Sequence, residues 1–136
     1  MQGQEPDPQG APQRRFVDPG YRPLAPDLAG VRREIDRIDD AVVRLLAERA
    51  MYVKDAARFK RDAFQVSAPA RQAQVFAHVR SLADQHNPSF NGGFEGLSEV
   101  VEAAYRALVA GYIANEQAYF GLTEPVPDAH NKEVPR

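Results

Sequence analysis

From Leu28 the chain sets apolar residues at Leu28, Val31, Ile35, Ile38, Val42 and Leu45, then Arg49, then Tyr52, Ala56 and Phe59, in steps that alternate three and four without a break. That spacing lines one face of an α-helix and excludes a strand, whose side chains repeat every two residues. Asp27, after Pro26, is a ready N-cap. A helix of about 33 residues, roughly 50 Å long, is more than one small domain can cover along its length. The seam therefore predicts coiled-coil-like packing against a partner.

The flanks differ from this unit. Six prolines fall between Pro6 and Pro26, with glycine and glutamine among them, so residues 1–26 read as a flexible arm with little to bury. Residues 121–136, with Pro125, Pro127 and Pro135, read as a flexible tail of the same character. Residues 27–120 are left as the folded unit. Residues 61–68 (RDAFQVSA) break the period. A second helix is expected from Ser67 and Pro69, with Ser67 near the cap, to about His86, with Val75, Val79 and Leu82 inward. Asn87–Gly96 reads as a loop, and a third helix runs from Leu97 to about Phe120. Its stretch VVEAAYRALVAGYIA is apolar on nearly every side, which predicts burial in the centre of a bundle. The fold class is all-α, a three-helix protomer with a long first helix.

Composition removes several function classes. The net charge of -2 over 136 residues argues against a general binder of nucleic acid or of membrane surfaces. With no cysteine, thiol catalysis and cysteine-ligated metals are excluded. His78, His86 and His130 lack metal-ligand spacing, and no Ser/His/Asp arrangement can be drawn. No cofactor is expected. No stretch approaches the ~18 apolar residues of a membrane span, and MQGQEPDPQGAPQRRF holds no apolar run before a cleavage site, so the expected location is the cytoplasm.

The chemistry lies in charges that do not fit a plain surface. Arg49 interrupts the seam, and a guanidinium there must be paired or must snorkel outward. It either bridges to a carboxylate on a neighbouring helix or holds a ligand. Lys60, 11 residues on, falls about 20 degrees round the same helix and roughly 16 Å along it, so the two could grip one small anion. Arg71 begins the second helix and can fold back toward the same place, beside a helix N-terminus that favours negative charge. Glu116 extends the face of Tyr105, Val109, Tyr112 and Ile113; desolvation there favours the neutral carboxyl and makes it a hydrogen-bond donor, unless the helix has reached solvent by that point. Asp36, Asp39 and Asp40 interleave with Arg33, Arg37 and Arg44 as surface ion pairs.

The stretch LAGVRREIDRIDDAVVRLLAERAMYVKDAARFK, residues 28–60, resembles the first helix of the all-α chorismate mutase family, close to its isochorismate-pyruvate lyase branch. The likeness continues through SAPARQ at 67–72 and GYIANEQAYF at 111–120, so it spans the folded unit and leaves out both tails. It implies an intertwined homodimeric helical bundle with two equivalent sites for a small dicarboxylate enol ether, chorismate or isochorismate. Carried over by motif, Arg49 and Arg71 bind carboxylates, Lys60 contacts the ether oxygen and a carboxylate, and Glu116 is the second donor to that oxygen. Arg32 reaches in from the other protomer. Helix geometry requires the same: Arg32 and Arg49 stand about 25 Å apart along one straight helix, so only an antiparallel second copy brings them together. Many mutases place a Glu directly after the second-helix Arg to bind the ring hydroxyl, where this chain has Gln72. In the lyase branch an apolar residue stands there, with Gln at the position of Glu116. The expected activity is a chorismate mutase that rearranges chorismate to prephenate without a cofactor. The alternatives are an isochorismate-pyruvate lyase making salicylate and pyruvate, and a non-catalytic binding or regulatory protein on the same fold.

Overall fold

The computed structural model describes residues 3–127. The seam forms α1, Leu28–Ala56, and Asp27 caps it with a side-chain oxygen that accepts from the Gly30 N–H at 2.8 Å. That bond satisfies one of the amides left free in a first helical turn. At the other end the α-helix stops short of the expected Phe59. Ala57–Phe59 tighten into a 3-10 turn, and Lys60 is extended (φ -105°, ψ 146°), its N–H bonded to the Ala57 carbonyl at 3.2 Å. Three residues per turn replace 3.6, so the extrapolation that set Lys60 about 20 degrees from Arg49 on one straight helix does not hold.

Residues 61–68 also differ from the expected break. Asp62 caps a one-turn helix, α2 (Ala63–Ser67), accepting from the Gln65 N–H at 2.9 Å. Ser67 therefore closes α2 and does not cap the next helix. Ala68 separates them in the left-handed region (φ 46°, ψ 63°), in keeping with the exclusion of right-handed helix just before a proline. From Pro69 the chain enters α3 (Pro69–His86), and after a loop it forms α4 (Leu97–Phe120). Asn87 closes that loop with both ends of its amide, accepting from the Phe94 N–H at 2.7 Å and donating to the Phe94 carbonyl at 3.0 Å. Asn91, at φ 49°, clasps the arm in the same manner, accepting from the Arg22 N–H (3.1 Å) and donating to its carbonyl (2.8 Å).

Among the described residues the layout is all-helical, three long helices and the single turn of α2. Antiparallel α3 and α4 pack together, and α4 also meets α2 and the C-terminal half of α1. Arg80 on α3 joins Glu102 (2.8 Å) and Glu99 (3.4 Å) on α4, and Arg106 meets the same Glu102 at 2.6 Å. The apolar core is small: Ala57, Val66, Val79, Ala83 and Val109. Within one chain α4 buries only Val109 and Glu116, so the expected central, wholly buried helix presents an exposed outer face. The first half of α1 likewise leaves its seam open, with Ile35, Ile38, Val42 and Leu45 each about half exposed. Among the described residues, the ion pair on that half is Arg37 with Glu34 at 2.9 Å, not the expected pairs of Asp36, Asp39 and Asp40. No described helix is long and apolar enough to cross a membrane.

Candidate active site

A cavity of about 320 Å³ opens where α1 ends, walled by Val53, Val75, Val109 and Ile113. Its size is at the lower end for small-molecule sites. The surrounding segments deliver polar groups from several directions: Arg49 from α1, Lys60 from the extended stretch that follows the 3-10 turn, Arg71 and Gln72 from the first turn of α3, and Glu116 from α4. Five of the six residues singled out by sequence thus line one cavity. Arg32 does not; it lies exposed on the first half of α1, about 25 Å away along the helix.

Local structure sets each position. The 3-10 turn swings Lys60 off the α1 axis, and its Nζ donates to Glu116 Oε2 at 3.0 Å. The Glu116 side chain is 5 % exposed and that of Lys60 21 %. Burial excludes the alternative in which Glu116 had already reached solvent. It also shows a carboxyl accepting from Lys60, where the sequence had pointed to a donor. An ion pair so poorly hydrated is held by its mutual attraction, and either partner alone would be left as a desolvated charge. The Gln72 amide donates to the Ser67 carbonyl at 2.7 Å, using an acceptor that the end of α2 leaves free. Its Oε1 remains as an acceptor. The Arg71 guanidinium touches Gln74 Oε1 at 3.5 Å, a long contact that leaves it largely uncommitted.

Arg49 finds no carboxylate among the described residues. Its guanidinium lies over two rings of α4, 5.6 Å from the centroid of Tyr105 and 5.1 Å from that of Tyr112. The Tyr112 hydroxyl donates to the Leu46 carbonyl at 2.7 Å, tying α4 to α1 one turn before Arg49. The sequence had placed both tyrosines on the face of Glu116 as apolar filling. Their part in holding Arg49 was missed, although the only signal was their spacing of seven, two turns of one helix.

Three cations and one carboxylate line the cavity, leaving it with a surplus of positive charge. That balance suits an anion with more than one negative group, and the apolar walls raise the strength of each contact. Outside it, Arg80, Arg106, Glu99 and Glu102 form a cluster of their own between α3 and α4. Hydrogen bonds from Arg106, and then from Arg80, hold the Glu102 carboxyl below the usual carboxylate range. Glu99 is lowered as well, by its own backbone N–H and then by Arg80, while Glu102 raises Arg80.

Residues 31–117 match the family model described as chorismate mutase type II. The chain is similar to the chorismate mutase of Methanocaldococcus jannaschii, 31% identical over 91 residues that cover 66% of this chain and 91% of that protein. It is also similar to the isochorismate pyruvate lyase of Pseudomonas aeruginosa, 33% identical over 97 residues, 71% of this chain and 87% of the other. A third relative is the bifunctional chorismate mutase/prephenate dehydratase of Aquifex aeolicus, 31% identical over 100 residues, which cover 70% of this chain and 26% of that longer protein.

Proposed function

The chain belongs to the chorismate mutase type II family, and we propose that it rearranges chorismate to prephenate in the cavity at the end of α1. In that reaction the ether C–O bond breaks as a new C–C bond forms within the same molecule. It requires no nucleophile; it requires the flexible side arm of the substrate to be held over the ring, and the ether oxygen to be stabilised as negative charge develops on it. Arg49 and Arg71 supply bidentate carboxylate clamps. Lys60 donates to the ether oxygen, and Glu116, which accepts from Lys60 before the substrate arrives, serves as the second donor once that contact opens and it has taken up a proton, while Gln72 Oε1 accepts from the ring hydroxyl. The observation that carries this reading is the Lys60–Glu116 contact: two polar groups 3.0 Å apart and facing the cavity both lie within reach of a single oxygen.

The site is shared between two copies. Arg32 reaches only a second chain, and the half-exposed seam of α1 supplies the surface on which that chain would dock. An antiparallel crossing of two such helices generates two equivalent sites. Among the described residues the small apolar core of one chain is thin support for helices this long, and dimerisation would cover both the seam and the outer face of α4. Residues 27–120 form the catalytic unit and the flanking segments lie outside it.

A second reading, an isochorismate-pyruvate lyase, is supported by the likeness to the Pseudomonas aeruginosa lyase and by Gln72 standing where many mutases have a Glu. The Gln72 amide is committed to Ser67, so it offers the substrate ring an acceptor without the charge a Glu would bring. The lyase reaction moves a ring hydrogen to the enolpyruvyl methylene carbon as the same ether bond breaks, and could use the same clamps. Purified protein offered each substrate in turn separates the two. Chorismate converted to prephenate is the expected result, and salicylate plus pyruvate from isochorismate as the dominant activity would replace it. Binding of either without turnover would identify a non-catalytic binding protein.

A further inference from the structure

We infer that Tyr112, with Tyr105 beside it, is a positioning residue for Arg49. The inference rests on the reading of Arg49 as a carboxylate clamp and explains how an arginine on an apolar seam is kept ready for a ligand. A free arginine side chain has several rotatable bonds, and ordering it on ligand arrival costs entropy that an already ordered side chain has lost beforehand. Among the described residues Arg49 has no carboxylate to order it. The ring faces of Tyr105 and Tyr112 take that place, at 5.6 and 5.1 Å from the guanidinium carbon. A ring attracts the cation without occupying its N–H donors, so the fork stays free for a carboxylate. A carboxylate partner would have ordered Arg49 equally well and would have competed with the substrate.

Tyr112 is more than a flat surface. Its hydroxyl is fixed on the Leu46 carbonyl at 2.7 Å, one helical turn ahead of Arg49 and on the same helix. Ring, hydroxyl and arginine form a closed unit: α1 holds the hydroxyl, the hydroxyl sets the ring, and the ring holds the arginine of α1. The hydroxyl bond sets the distance between the helices at this point, while the ring face acts on the guanidinium. The two contributions separate by substitution. Tyr112→Phe keeps the face and loses the bond; Tyr112→Leu loses both.

The test reads Arg49 directly and then its effect. In NMR spectra of the full chain the Arg49 Hδ protons should be displaced by ring currents in the parent and in Tyr112→Phe, and should move toward random-coil positions in Tyr112→Leu. KM for chorismate should rise about tenfold in Tyr112→Leu, within the range of a lost cation–π contact, and less than about threefold in Tyr112→Phe. In an Arg49→Lys background, where the planar fork is gone, Tyr112→Leu should add little. Unshifted Arg49 protons in the parent would overturn the inference. So would full additivity of Tyr112→Leu with Arg49→Lys, or Phe and Leu variants that are equally impaired. A parent that turns over neither chorismate nor isochorismate removes the functional reading alone, and the ring-current shifts then decide the positioning claim by themselves.

Discussion

Lys60 and Glu116 are 56 positions apart in the chain, and their side chains meet at 3.0 Å inside the cavity. One stands just past the end of α1 and the other near the end of α4, so the contact fixes how the two helices close on the site. In the proposed reaction the ether oxygen binds at this point, which would tie stability and activity to the same pair.

Removing the cation alone tests both. Lys60→Ala leaves Glu116 buried without a partner, and about 3 kcal/mol of stability should be lost, read as a lower urea midpoint with activity falling to background. An unchanged midpoint would mean that the pair does not hold the bundle end.

In the proposed mechanism residue 116 is a hydrogen-bond donor to the ether oxygen, and a glutamine amide can take that place. Glu116→Gln should therefore keep turnover of chorismate, whereas Glu116→Ala should lose it. Equal turnover in the Gln and Ala variants would rule out donation by residue 116.

Glu102 makes a separate prediction about folding. Its carboxyl is lowered by hydrogen bonds from Arg106 and Arg80, so the folded form holds the charged state more firmly than the unfolded chain does. The stability this contributes is fully present above the ordinary carboxylate range and is lost as pH falls through the lowered folded value. Urea midpoints should therefore decline on the acid side in the parent and decline less in Glu102→Gln. Equal acid sensitivity in both proteins would remove this cluster as a link between α3 and α4.

Much of the fold could be read from the chain because its signals are periodic and local. The alternation of three and four specified α1, and the loop residues Asn87–Gly96 together with Gly96 before Leu97 marked the start of α4. The end of α1 was not legible. Apolar spacing continues through Phe59, yet the helix tightens after Ala56, where Ala57 and Val66 bury themselves at 2 % and 1 % exposure. That decision belongs to packing between segments, which periodicity along one segment does not record. The site shows the same division. Arg49 stood out because it broke a pattern, but nothing adjacent in sequence revealed that Tyr112 would fix its hydroxyl on Leu46, 66 positions away. Ser67 does stand next to the cap of α3, Ala68, but the sequence did not show that it also closes a helical turn of its own, α2, before the chain reverses at Ala68.

The shared site is tested most directly by complementation. Arg32→Ala and Arg49→Ala chains, each inactive alone, are unfolded, mixed in equal amounts, refolded together and assayed on chorismate. Half of the resulting dimers should be mixed, and each mixed dimer should carry one intact site of two, so activity should recover to about a quarter of the parent's. A mixture no more active than either parent variant would contradict a site built from Arg49 of one chain and Arg32 of the other.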